Sequence, residues 1–310
     1  MRPILHHYPV SPFAEKVRTL LGFKQLEWSS VMIPSIMPKP DVIALTGGYR
    51  KTPFLQIGAD IYCDSALVAR VLENLKPEPT LYPAESAGLA ATLAQWADTI
   101  LFWTAVPYAL QPEGAAHMFG GQPAEALKAF REDRAAFRSN IAPMRPPESI
   151  QGMKIYLGRL DSMLHDGRRW LLGAAASIAD FSVYHCIWFI YRGGPVASII
   201  DNYPHVQAWY ARVKGIGHGV FDEMDSKAAI DVAASSKYAT VSADNFVETH
   251  RLPFGSRVTV AATDYGTDPV SGELVISLPE EIGVRRTDPR AGTVVVHFPR
   301  LGYEVRKAEA

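Results

Sequence analysis

The sequence predicts an α/β domain, then an all-α domain, then a small β-barrel-like extension, with boundaries at 1–79, 84–238 and 239–310. Three observations predict this. Strand and helix patterns alternate as far as the stiff linker Lys76-Pro77-Glu78-Pro79. From 84 to 217 the apolar spacing is helical throughout, and after 238 short alternating runs are punctuated by turn residues. A chain of 310 residues, at roughly 150 per domain, accommodates two domains and a remainder. With 48% hydrophobic and 20% charged residues it can bury a sizeable core and need not be disordered.

Pro3–Tyr8 reads as a short strand ended by Pro9, and Ser11-Pro12 opens a helix with a hydroxyl at the N-cap and proline at the first helical position. Phe13, Val17, Leu20 and Leu21 share its apolar face. A second strand covers about Leu26–Ile33 and is ended by Pro34, Pro38 and Pro40; the stretch 34–50 is broken by proline and glycine. Thr52–Ile57 and Asp60–Cys63 flank Gly58-Ala59 as a hairpin. Asp64 then caps a helix that buries Leu67, Val68, Val71, Leu72 and Leu75. Helices are predicted at 86–110, 122–139, 148–166, 177–191 and 203–214. Strands follow at Arg257–Thr263, Glu273–Leu278, Ile282–Arg286, Thr293–Phe298 and Tyr303–Arg306, separated by turns such as Asp264-Tyr265-Gly266. So small an extension has a marginal core of its own and is expected to dock on the helical domain.

The net charge is −1, from 31 basic and 32 acidic side chains, so there is no global field for a nucleic acid or a membrane surface. Cys63 and Cys186 form no CxxC and no disulfide framework, which predicts a reducing, cytoplasmic setting. Prolines and histidines interrupt the N-terminus before an apolar signal core can form. Leu171–Tyr191 carries Asp180 and His185, so it is read as a buried helix rather than a membrane span. No metal site is expected: His6 and His7 face opposite sides of a strand, and Asp264, Asp268 and Glu273 lack the ligand spacing of a calcium loop. The arginines at 285, 286, 290, 300 and 306 are interspersed with acids and read as a solvated face.

Three local features carry candidate chemistry, and each has a plain structural reading. Ser11 sits where free N–H groups and the helix dipole favour an anion such as a thiolate, or it is simply an N-cap. Pro53 at the start of a strand allows a cis bond that turns the Thr52 backbone outward as an edge for an extended peptide, or it is a loop proline. Asp64-Ser65 opens a helix and can hold an ammonium and a carboxylate, or it is a cap.

Taken in order, Tyr8-Pro9-Val10-Ser11-Pro12-Phe13, Thr52-Pro53 and Asp64-Ser65 resemble the glutathione transferase family over about residues 3–215, most of all its serine-type, tau-like classes. That resemblance implies a thioredoxin-like N-terminal domain, a helical second domain, a homodimer, detoxification chemistry and glutathione as co-substrate, with no metal. It implies that Ser11 assists the thiolate and that Tyr8 lies beside it. It further implies that Thr52 pairs with the cysteinyl amides next to cis-Pro53, that Asp64 and Ser65 hold the γ-glutamyl end, and that Lys51 approaches the glycyl carboxylate. Asp64 departs from the family's commoner Glu or Gln by one methylene. Cysteine, which marks the thiol-transferase classes at this place, is replaced by Ser11. Ser177-Ile178-Ala179-Asp180 is a capping box, structural in the family, whose loss through Asp180→Ala is expected to destabilise by about 1 kcal/mol or more. An apolar electrophile is expected near Phe13, Trp103 and Tyr108, although such aromatic stripes commonly serve the core. The alternatives are a glutathione-dependent isomerase, dehalogenase or ether-cleaving lyase on the same site, and a non-catalytic interaction protein of this fold.

Overall fold

The computed structural model describes residues 1–138, 144–244, 246–247 and 249–308. Residue 139 of the predicted helix 122–139, and residues 245, 248, 309 and 310 of the extension, lie outside them. The first unit runs β1 (Ile4–His7), α1 (Pro12–Phe23), β2 (Trp28–Met32), α2 (Pro40–Thr46), β3 (Phe54–Ile57), β4 (Asp60–Cys63) and α3 (Ser65–Leu75). It is the thioredoxin-like arrangement: β1 pairs parallel with β2 and antiparallel with β3, and β3 pairs antiparallel with β4. Helix α2 falls in the stretch that proline and glycine appeared to break. Pro40 starts it, and Gly47 ends it at φ 79°, a left-handed cap that favours glycine.

The helical unit contains α4 (Ala87–Trp96), a π-turn at Ala97–Leu101, α5 (Phe102–Ala109), α6 (Pro112–Phe119), α7 (Ala124–Phe137), α8 (Pro146–Leu164), α9 (Ile178–Arg192), a 3₁₀ stretch at Gly194–Asn202 and α10 (Pro204–Lys214). Helix α9 is the central one. Its capping box is formed, with the Asp180 carboxylate accepting from the Ser177 N–H at 2.9 Å. Among the described helices none is long and apolar enough to cross a membrane.

The chain then returns to the first unit. Within 218–238, grouped with the helices on sequence, β5 (Phe221–Met224) pairs parallel with β2, and α11 (Ser226–Ser235) packs near α2. The strands β6 (Arg257–Ala262), β7 (Val270–Ser277), β8 (Glu281–Asp288), β9 (Gly292–Pro299) and β10 (Tyr303–Lys307) complete one ten-stranded order, β10-β6-β7-β8-β9-β4-β3-β1-β2-β5. The expectation that the extension docks on the helical domain is therefore corrected. It docks edge-to-edge on the thioredoxin-like sheet, with Asp60–Tyr62 of β4 in register with Val295–His297 of β9. The reason is that strands β6–β10 share their core with the first unit: Val284, Val296 and Phe298 belong to the cluster that holds Val31, Phe54 and Ile61. A small sheet that cannot close a core alone is stabilised by extending one already present. The turn between β6 and β7 reaches α7 of the helical unit. Gly266 there, at φ 59°, lies so close to Phe137 that a Cβ would meet its ring at 2.6 Å.

Candidate functional site

Two helix starts and one strand entry converge. Ser11 caps α1 in an extended conformation, accepting from the Ala14 N–H at 3.3 Å and donating to the Thr52 carbonyl at 3.4 Å. The second bond is at the long end of the range, so redirecting that hydroxyl to a better acceptor costs little. Burial raises the Tyr8 pKa, and the nearby Arg134 guanidinium opposes the rise. Thr52–Pro53 is cis and leads into β3. The Thr52 hydroxyl is buried with no partner among the described residues.

Asp64 caps α3 at φ 75°, a strained conformation for any residue but glycine, and accepts from the Ala66 N–H at 2.9 Å. Ser65 Oγ accepts from the fully buried Lys16 ammonium at 3.2 Å. Lys16 in turn lies 2.5 Å from Asp98 in the π-turn, and His185 Nε2 lies 2.9 Å from the other oxygen of Asp98. Burial opposes the Asp98 charge, but Lys16 and His185 hold its carboxyl below the ordinary range, while burial pushes His185 down. A cavity of about 500 Å³ opens here, walled by Lys16, Lys51, Thr52, Pro53, Asp64, Ser65, Asp98 and Phe13 among others. Its size and mixed lining fit a small zwitterionic ligand. Fixed acids, a fixed ammonium and the first N–H groups of α3 can receive both charges of an α-amino acid head.

Of the sequence-predicted residues, Phe13, Lys51, Thr52, Pro53, Asp64 and Ser65 thus face one cavity. Ser11, with 3% exposure, and Tyr8 do not wall it; Ser11 reaches it through the Thr52 carbonyl. Trp103 also stands off the wall, edge-on to Tyr265 with ring centroids 5.0 Å apart. The structure does not bring Tyr108 to the cavity: it is buried and its hydroxyl donates to the Val196 carbonyl at 2.9 Å. Both cysteines are buried, and burial pushes their thiols well above the ordinary range, so neither offers a ready thiolate.

Sequence reasoning missed several charged and aromatic residues in and around this region. Lys39, at the N-cap of α2, is buried 5.8 Å from the Tyr8 ring, and burial and the neighbouring Arg134 push its pKa down to about 8. Lys16 and Asp98 carried no local signal because they meet only when α1 crosses the helical unit. From the extension, Tyr303 donates to Asp64 at 3.1 Å, Asp264 lies 2.6 Å from Lys51, and the Tyr265 ring sits 4.2 Å from the same ammonium. Among the described residues no cluster could hold a metal ion.

Residues 5–80 match the family model of the glutathione S-transferase N-terminal domain, and residues 148–217 that of its C-terminal domain. A solved GST-like protein from Pseudomonas syringae is 44% identical, with 99% of each chain covered and a TM-score of 0.83, so the similarity includes the extension. FtsZ-localized protein A of Caulobacter vibrioides is 26% identical over 216 residues, 68% of this chain and 86% of its own length. Probable maleylacetoacetate isomerase 1 of Drosophila melanogaster is 30% identical over 90 residues, 27% of this chain and 36% of its own.

Proposed function

The chain belongs to the glutathione S-transferase family, and from that premise we propose that it binds glutathione as co-substrate and activates the thiol with Ser11 for attack on a small apolar electrophile. The observation that carries this reading is the convergence of Asp64, Ser65 and Lys16 on one cavity beside the Thr52–Pro53 entry to β3. Glutathione lies extended along the Thr52 edge. Its γ-glutamyl carboxylate meets Ser65 and the N-terminus of α3, its ammonium meets Asp64, and its other end approaches Lys51. The thiol proton leaves to water while Ser11 turns its hydroxyl from Thr52 to the sulfur and the start of α1 favours the anion. The sulfur then bonds to the electrophilic carbon, held against Phe13, while the leaving group departs with the electron pair of its bond to that carbon. The protein contributes pKa lowering and proximity. We place the enzyme in the cytoplasm, in a detoxifying role, as a homodimer. Leu89 at 60% exposure and Ile100 at 53% give the α4 side apolar surface that a second copy would cover.

Ser11→Ala is expected to lower kcat by about tenfold or more while changing glutathione affinity little. Equal loss of both, or no loss, contradicts the role. A second reading, a non-catalytic interaction protein, is favoured by the position of Tyr265 and Asp264 over Lys51 and by the similarity to a protein named for its localisation with FtsZ. It predicts no glutathione-dependent stabilisation at all. Product analysis with glutathione and candidate electrophiles separates transfer from isomerisation, dehalogenation or ether cleavage.

A further inference from the structure

Lys51 is the ammonium at the Thr52 end of the cavity, and the chain already provides its counter-charge. Asp264 Oδ1, from the β6–β7 turn, stands 2.6 Å from Lys51 Nζ, and the Lys51 side chain is only 10% exposed. The rings of Tyr265 and Tyr303 lie 4.2 and 5.5 Å from the same ammonium and shield the pair from water. The adjacent Arg50 offers no spare cation, because Asp133 holds it at 2.8 Å and Asp268 stands 3.8 Å away.

A ligand that brings a carboxylate to Lys51 therefore meets a carboxylate already in place. It must either displace Asp264, leaving that acid without its partner, or share one ammonium between two anions. We propose that Asp264 is a specificity-determining residue: it acts as an internal carboxylate at the end of the site, disfavouring a thiol peptide with a free terminal carboxylate and favouring one whose terminus is neutral, as an amide, an ester or an extended conjugate. The inference rests on the glutathione reading above. The residue comes from the extension, outside both matched domains, so the extension edits a site whose other end belongs to the common fold.

The test is calorimetric titration of the full chain and its Asp264→Asn variant with reduced glutathione and with the glycyl monoethyl ester of glutathione. Asp264 is 40% exposed on a turn, so the amide should be tolerated; Asp264→Ser serves if it is not. The wild-type protein is expected to bind the ester more tightly than the free acid, and the substitution to shift the acid-to-ester affinity ratio by about tenfold toward the acid. Binding of both ligands with the same ratio in both proteins overturns the proposal and leaves the glutathione site standing, with the terminal carboxylate received elsewhere. Binding of neither ligand to either protein overturns the glutathione reading and this proposal with it.

Discussion

Helices α9 and α3 each have an aspartate at their N-terminal end that caps the backbone, and the two carboxylates have different fates. Asp180 is fully buried, and its oxygens accept from the N–H groups of Leu171 and Ser177, the Ser177 hydroxyl and the Trp209 indole. A carboxylate offers about four acceptor positions, so Asp180 has none left. Among the described residues Asp64 accepts only from the Ala66 N–H and the Tyr303 hydroxyl; it faces a cavity and is held at φ 75°. A cap whose acceptors are filled by its own chain is structure. A cap with acceptors to spare, kept in a conformation that glycine would suit better, points to a ligand.

Breaking the saturated cap should have the largest effect. Asp180→Ala leaves four buried donors without an acceptor and is expected to lower unfolding stability by about 3 kcal/mol or more in urea titrations. A loss below about 1 kcal/mol would remove the contrast. Tyr303→Phe removes the hydroxyl that contacts both Asp64, across the junction with the extension, and Tyr49, and should cost about 1.5 kcal/mol by the same measurement. Asp64→Gly sharpens the comparison further. Relief at φ 75° offsets the lost cap, so stability should change by no more than about 1 kcal/mol while glutathione binding disappears. Retained binding in that variant would make Asp64 only a cap.

The smallest effect concerns the junction of the extension itself. His297 on β9 lies 3.0 Å from Asp60 on β4 and 2.6 Å from Glu281 on β8. Burial opposes its charge, but the two carboxylates outweigh burial and raise its pKa above the ordinary 6.5. Its stabilisation is fully present below the unfolded pKa and is lost as pH rises through the raised folded value. Hydrogen exchange in β9, corrected for intrinsic rates, should therefore show weaker protection at higher pH, and His297→Gln should flatten that dependence.

Much of this was legible from local signals. Prolines and glycines marked the ends of β1, α1 and the β3–β4 hairpin, and alternating runs marked β6 to β10. Ser177 and Asp180, three residues apart, announced the capping box. Helix α2 was hidden because its seven residues lie between prolines and Gly47-Gly48. Helix α11 followed Asp225 in an alanine-rich run that resembled its helical surroundings. The docking of the extension was illegible because β4–β9 pairing uses backbone groups, which every residue has. The site divides the same way. Ser11, Thr52, Pro53, Asp64 and Ser65 are candidates marked locally by caps and a strand-start proline, and the last four wall one cavity. Asp264 meets Lys51 across 213 positions, and its Asp-Tyr-Gly sequence reads as nothing more than a turn.

The most direct measurement is the melting temperature of the full chain during titration with reduced glutathione, beside the Asp64→Ala/Ser65→Ala double variant. At about 100 times its dissociation constant the ligand should stabilise the wild-type protein by about 2.7 kcal/mol and leave the double variant unchanged. No shift in the wild-type protein at millimolar glutathione, or an equal shift in both proteins, would contradict the placement of glutathione at this site.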